Sequence, residues 1–431
     1  MNLPEKFDSY AQDWFNFLAG YGVSDFKIST VLFFKSAPDI ELLKQSVRLL
    51  LLSEPILACR FDADNDKPQF VRHADINIDE YFSLLRNDAT PENFLSIPMD
   101  SERMISLGFQ NNGDTPYIVV KLNHICGDAA ALKQAVVLLA GIYSSLSADP
   151  SFIPESNVYG ERSQQLLFKA LGIDNPISIF NPALSELKSN WAFPFKSCDG
   201  NGRYALSFRR IDAGRFLELK DSGKRMGATI NDILLTSMFR NISRMTAPLQ
   251  GEPGHIHITR DMRCYLPGDS NMAIANLSAM LDIEIMPSQD RDFWDELKII
   301  KQQIAVVLDR KSDIQNSIGC EYIGSIGFKA MEGYFTNSWT QGKAKGVCSP
   351  ILSNLGILSK EPVRFGGSEV TDAYMVPPAF HAPALMLSPS SYNNVLTLCI
   401  GYYEGETQKE DVDSLLDGII SELLEISNYQ D

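Results

Sequence analysis

Apolar residues along the chain switch repeatedly between a spacing of two and a spacing of three to four, and the switches outline the elements. Residues 25–35 are β-branched and aromatic and predict a strand, while 40–52 carries leucines at helical spacing before Pro55 closes the run. Residues 56–61 and 69–73 flank the turn-rich stretch 62–68 and predict a hairpin with a polar loop. A further strand is predicted over 117–124 and an Ala- and Leu-rich helix over 129–143. Only Ile125, Cys126, Gly127 and Asp128 separate these two elements.

From 151 to 195 the pattern weakens, and Pro154, Pro176, Pro182 and Pro194 interrupt it, as expected of a crossover between domains. The second half then predicts a strand at 204–208, helices at 213–221 and 231–243, strands at 255–259 and 277–285, and a long helix at 293–308. A strand ending in Ser353-Asn354-Leu355-Gly356, a hairpin built from 384–387 and 395–403, and a helix at 412–426 complete the chain. Strands and helices mix in both halves without strict alternation, which predicts an α+β class with mixed sheets flanked by helices. The length of 431 residues predicts two domains, placed at 1–175 and 176–431. No short-period repeat or low-complexity tract interrupts them.

Charge narrows the partners. Lys and Arg total 38 against 54 Asp and Glu, a net charge of −16, which disfavours binding to nucleic acid or to an anionic lipid surface. The seven cysteines are scattered, with no C-x-x-C pair, so neither a disulfide framework nor a zinc site is expected and a reducing cytoplasm fits. The first residues, Met1 to Lys6, lack a basic segment followed by an apolar core, and no uncharged apolar run of about 18 residues occurs, so neither secretion nor a transmembrane segment is expected. The expected state is a monomer.

Strand alternation places Ile118, Val120, Leu122 and His124 on one face, with the imidazole at the strand's end. A neutral imidazole takes a proton from a hydroxyl or amine at neutral pH, which is what activation of a nucleophile requires. Asp128, four residues on and across a turn containing Gly127, can fix the loop and the ring without transferring a proton. The spacing alone also suits a plainer arrangement, with Asp128 as the N-cap of the helix at 129–143 and His124 as a satisfied histidine at a strand end. Local pattern leaves both readings open.

Other signals are weaker. His255 and His257 share a strand face, but no third ligand at usable spacing makes a metal site. Cys126 lacks an activating cation and reads as a small packing residue. Asn231 and Asp232 precede a helix and read as caps. Gly366-Gly367-Ser368 and the glycines around Gly324 and Gly327 match no phosphate-cradling loop.

The segment Asn123-His124-Ile125-Cys126-Gly127-Asp128-Ala129 resembles the H-H-x-x-x-D-G motif of the chloramphenicol-acetyltransferase-like superfamily, which includes peptide-synthetase condensation domains, polyketide-associated acyltransferases and wax-ester synthases. Further matches fall in the same order. Glu54-Pro55-Ile56-Leu57 with Arg60-Phe61 resembles the family's L-R-x-x-F region, and Ile230-Asn231-Asp232-Ile233-Leu234-Leu235 its N-D-V-L-L helix start. Asp261-Met262-Arg263 is similar to the N-L-R element, Asn276-Leu277-Ser278 to the G-N element and Ser353-Asn354-Leu355-Gly356 to the S-N-x-G strand. Two positions depart from the motif: Asn123 stands for the first His and Ala129 for the Gly after the aspartate.

The resemblance implies two similar subdomains joined in a V, with a central tunnel and His124 near its middle. It implies an acyltransferase in which His124 deprotonates a hydroxyl or amine that attacks an acyl thioester, carried by coenzyme A or by the pantetheine arm of an acyl carrier protein. No bound cofactor and no metal are implied. Catalysis falls to His124 and Asp128, and oxyanion or substrate binding to Ser353, Asn354, Ala129 and Asn123. Arg263, Asn231 and Asn276 give structural support, with an Asp128–Arg263 ion pair fixing the His124 loop from the opposite subdomain and Arg260 as the nearest substitute. A freestanding condensation enzyme and a non-catalytic acyl- or lipid-binding member are the alternatives, the latter drawing on Asn123 and Ala129.

Overall fold

A computed structural model describes residues 3–64, 66–111, 115–195, 202–248, 251–268, 270, 272–288, 290–348 and 350–427. Asn65, in the predicted hairpin loop, lies outside them. After the short helix α1 (Ala11–Ala19) and strand β1 (Lys27–Phe34), Asp39 accepts from the Leu42 amide at 2.8 Å and so starts α2 (Ile40–Ser53) where the leucine spacing begins. The predicted hairpin is shorter than expected at its first strand: Pro55 opens a 3₁₀ turn, Pro55–Ala58, and only Cys59–Asp62 pairs with Gln69–Arg72. Strands β2 (Ile105–Gln110) and β3 (Tyr117–Asn123) then lead to helix α3 (Ala129–Ala148).

Helix α3 is, among the described residues, the one helix long and apolar enough to cross a membrane. Here its face of Ala131, Leu132, Ala135, Val136, Leu139 and Tyr143 is buried, and it packs along α2. With one face of the first sheet these helices enclose a core that includes Leu32, Leu43, Val47, Ile118, Val120 and Leu122.

The second lobe begins with β4 (Arg203–Ile211), α4 (Ala213–Arg225) and α5 (Ile230–Met245), followed by β5 (Gly254–Asp261), β6 (Ser278–Ile285) and α6 (Phe293–Asp309). Two more helices, α7 (Ser312–Ile326) and α8 (Phe328–Lys345), precede β7 (Ser368–Val376), β8 (Met386–Tyr392), β9 (Val395–Glu404) and α9 (Lys409–Ser427). The second sheet runs β6, β5, Ile351–Leu352, β8, β9, Ala379–Phe380, and β4 also pairs with β9. It mixes directions: β5 and β8 are both parallel to Ile351–Leu352, while β8 and β9 form an antiparallel hairpin turned at Asn393 and Asn394. Leu234, Met238, Ile256, Leu281, Leu387, Leu398 and Leu416 lie in this lobe's core.

The lobes exchange material. Strand β7, distant in sequence from the first lobe, pairs antiparallel with β1, so the first sheet runs Arg364–Phe365, β7, β1, β3, β2, Phe82–Leu84. The other face of β1 and β3, with Val31, Tyr117 and Val119, meets Tyr374 and Val376 of β7, Cys399 of β9 and Leu206 and Phe208 of β4 in a third apolar cluster between the sheets. Strand alternation therefore assigns β3 to two cores at once.

Hydrophobic spacing did not reveal α1, β2, α7, α8 or β7. In α7 the packing surface is made partly by small residues, Ser312, Ser317 and Gly319 among them, and a Cβ on Gly324 would lie 2.6 Å from the Ala11 Cβ, so glycine permits the close crossing of α7 on α1, while α8 buries only Phe328 and Met331. The two helices are separated at Gly327, whose φ of +114° suits glycine. In β7 the charged Asp372 interrupts the apolar pattern, and Arg210 of β4 holds it with two bonds of 2.7 and 2.6 Å.

Candidate active site

Strand β3 ends at Asn123, which lies opposite Lys27 of β1, and the His124 amide donates to the Phe26 carbonyl at 2.6 Å as the chain turns away. Asn123 faces inward. It is fully buried, and its Nδ2 donates to the carbonyls of Asp100 (2.7 Å) and Arg103 (3.1 Å) while its Oδ1 accepts from the Ile125 amide (3.1 Å). The expectation that Asn123 meets substrate is corrected on this geometry: both amide hydrogens and the carbonyl are engaged in bracing the turn.

His124 is partly exposed, and its Nδ1 is buried without a hydrogen-bond partner. Asp128 makes no bond to the ring. Its Oδ1 accepts from the Ala131 amide at 3.0 Å and caps α3, while its Oδ2 accepts from Arg263 Nη1 at 2.9 Å and from the Leu277 amide at 2.8 Å. The cap and the interlobe ion pair are thus two uses of one carboxylate. Burial raises the Asp128 pKa, but the charge and hydrogen bond of Arg263, with the Leu277 and Ala131 amides, outweigh it and hold the group below the ordinary carboxylate value. Burial works against the charge on Arg263, yet Asp128 and then Asp261 hold its pKa above the usual value. Between cap and turn, Gly127 is needed for room: a Cβ there would lie 2.8 Å from the Ala131 Cβ.

Asn276 completes the attachment from the second lobe. It is buried, and its Nδ2 donates to the carbonyls of His124 (3.0 Å) and Ile125 (2.9 Å) and reaches Asp13 Oδ1 (3.2 Å). Residues of both lobes thus hold one short loop.

Residues 276–427, beginning at this asparagine, match the WS/DGAT C-terminal domain family. Across nearly its whole length the chain superposes on trichothecene 15-O-acetyltransferase from Fusarium sporotrichioides, with a TM-score of 0.71 at 12% identity, covering 98% of this chain and 95% of that one. The chain has the chloramphenicol-acetyltransferase-like fold. Polyketide synthase associated protein 5 from Mycobacterium tuberculosis shares it, with a TM-score of 0.68 at 14% identity over 100% of this chain and 99% of that one. So does the first condensation domain of the CDA synthetase, with a TM-score of 0.69 at 13% identity over 99% and 97%. No curated protein matches the chain by sequence.

Within this chloramphenicol-acetyltransferase-like fold, the remaining expected residues take different places. Ala129 is the first residue of α3 and is partly exposed. Ser353 Oγ accepts from Thr259 Oγ1 at 3.0 Å, Asn354 Nδ2 approaches Asn231 Oδ1 at 3.4 Å, and Asn354 Oδ1 accepts from the Gly356 amide at 3.0 Å. Lys133 of α3 donates to the Leu355 carbonyl at 2.8 Å, which seats this segment against the helix that follows the His124 loop. The cap of α5 is Thr229, not Asn231: Thr229 Oγ1 accepts from the Asp232 amide, and Asp232 returns the bond to the Thr229 amide at 2.8 Å. Arg260 is engaged elsewhere, 3.0 Å from the buried Asp313.

The side signals resolve structurally. Burial pushes the Cys126 thiol well up, which removes it as a nucleophile. His255 Nδ1 lies 2.9 Å from Asp282, and His257 Nε2 lies 3.1 Å from the Lys188 carbonyl, so both imidazoles serve packing contacts. Gly366 and Gly367 form the turn between Arg364–Phe365 and β7.

Two residues of the site were missed. Arg162 and Asp13 form a buried ion pair of 3.0 and 3.1 Å, with side chains 7% and 3% exposed. Arg162 lies in the proline-interrupted crossover and Asp13 in a helix that hydrophobic spacing did not reveal, so no local signal joined them.

Proposed function

We propose that the chain transfers an acyl group from a thioester to a hydroxyl or amine, with His124 as general base. What supports this reading is a partly exposed histidine on a loop pinned from both lobes by Asp128–Arg263 and Asn276, in a fold shared with acetyltransferases and condensation domains. The WS/DGAT C-terminal match adds to it.

His124 takes the proton of the acceptor hydroxyl or amine as that group attacks the thioester carbonyl. The tetrahedral oxyanion needs preorganised donors, each worth roughly 3 kcal/mol when removed from other acyl-transfer sites. Amides at the start of α3 around Ala129, with Ser353 and Asn354, are the groups assigned to that task. Collapse breaks the carbon–sulfur bond, and the proton on His124 passes to the departing thiolate, so the products are an ester or amide and a free thiol. Coenzyme A and a carrier-protein arm present the same pantetheine thioester to this chemistry.

The test is thiol release from a panel of acyl-coenzyme A and acyl-pantetheine donors, with and without alcohol and amine acceptors. Acceptor-dependent thiol release with at least one donor is expected. A chain that releases thiol from none of them is not a thioester-dependent acyltransferase.

A further inference from the structure

We propose that the buried pair Asp13–Arg162 is a positioning device for His124, a second clamp behind the loop that acts beside Asp128–Arg263 on the same segment 274–277. The inference rests on the general-base reading of His124 given above.

Orientation of the ring is the physical problem. His124 Nδ1 has no hydrogen-bond partner, and both oxygens of Asp128 are engaged elsewhere, so no side chain sets the imidazole directly. Its direction follows from the backbone of 124–126, and that backbone is held on one side by the bonds of its amides to Phe26 and Asn123 and on the other through its carbonyls. Asn276 takes those of His124 and Ile125, and Arg162 Nη1 takes that of Cys126 at 3.3 Å. The same guanidinium group donates to the Ile274 carbonyl at 2.8 Å, two residues before Asn276.

Asp13 closes the arrangement. Its carboxylate receives Arg162 Nη2 on both oxygens, accepts Asn276 Nδ2 at 3.2 Å and accepts the Tyr10 amide at 3.0 Å, which ties the device to the start of α1. The Phe70 ring lies 4.7 Å from the guanidinium carbon and covers it. One ion pair therefore fixes three segments against the loop: α1, the approach to β6 and the crossover at Arg162.

A buried ion pair is a weak source of net stability, because removing two charges from water costs about as much as their attraction returns. Its geometric product is different. A fork of donors defines the position of two carbonyls on separate segments, which an apolar pair of the same volume does not.

The test compares Arg162→Lys with the paired substitution Asp13→Leu and Arg162→Met. The lysine variant keeps a charge for Asp13 but loses the fork, and the paired variant leaves no unpartnered charge if it folds. Each is measured for thermal unfolding, for the His124 ring resonances and their titration by NMR, and for kcat and KM with the best thioester donor. Arg162→Lys is expected to stay folded, shift the His124 resonances and lower kcat by about 10- to 100-fold with donor KM changed less than about twofold, the scale set by a misplaced catalytic group. The paired variant is expected to show the same two effects, with a lower unfolding midpoint because the Cys126 and Ile274 carbonyls and the Tyr10 amide lose their partners. Unchanged His124 resonances and kcat in either folded variant overturn the proposal. If the wild-type chain transfers no acyl group, the general-base reading fails, while the resonances still decide whether the pair sets the imidazole.

Discussion

Arg263 Nη1 lies 2.9 Å from Asp128 Oδ2, joining the turn after β5 in one lobe to the first turn of α3 in the other. Asp128 is buried and also caps α3, so deleting the cation strands a charge that cannot rearrange toward water. Arg263→Ala is expected to cost about 3–5 kcal/mol of stability, the range for breaking one partner of a buried pair. Urea unfolding checks it, and a loss under about 1 kcal/mol would show that the pair is not what holds the lobes' junction.

The same pair carries a pH signature. The folded Asp128 pKa is lowered, so its contribution is fully present above the ordinary carboxylate value and is lost as pH falls through the lowered folded value. Wild-type stability is expected to fall with acid below about pH 4, the unfolded carboxylate range, more steeply than that of Asp128→Asn. Denaturant titrations from pH 7 to pH 3 on both proteins test this. Identical slopes would remove Asp128 as a source of acid sensitivity.

Asn123 stands where the related motif has a histidine, and its amide satisfies two carbonyls and one backbone N–H below the turn. Asn123→Ala leaves these groups buried without partners, at an expected cost of about 1–3 kcal/mol. Thermal unfolding measured with Asn123→Gln alongside separates lost bonds from lost volume. A wild-type midpoint in the alanine variant would contradict the bracing role.

Lys121 points from β3 to the carbonyls of Phe94 (3.2 Å) and Ile97 (3.0 Å) and is buried. Burial, and to a lesser degree Lys27, lowers its pKa from 10.5 to about 7. Between those values the unfolded chain binds more protons than the folded one, so stability rises with pH. A rise between pH 7 and pH 9 is expected in the wild type and a smaller one in Lys121→Met. Chemical denaturation at the two pH values reads the difference, and equal rises in both proteins refute it.

Much of the junction at His124 could be read from the residues because the hydrophobic period changes there within five positions, from the alternation of 117–124 to the helical run from Ala129. The Arg263 partner came from motif order, and the ion pair lies where that order placed it. The partners of Asn123 could not be read, because Asp100 and Arg103 contribute backbone carbonyls, which carry no residue-type signal. Asp13 and Arg162 stayed hidden for a related reason: their meaning lies in a contact across 149 positions, between a helix and a crossover that local spacing did not define. Thr229 is legible in the residues, since Thr-x-x-Asp before an apolar run is a capping-box pattern, although the adjacent Asn231-Asp232 offers a rival cap signal.

The imidazole of His124 is the group on which acyl transfer depends, and the most direct measurement is acyl-transfer turnover by folded His124→Ala beside the wild type. Because the ring's Nδ1 makes no hydrogen bond, the variant is expected to keep the wild-type unfolding midpoint within a few degrees. Its kcat is expected to fall by about 10²- to 10⁴-fold, the usual contribution of a positioned general base. Turnover within about twofold of wild type in the folded variant would contradict the account.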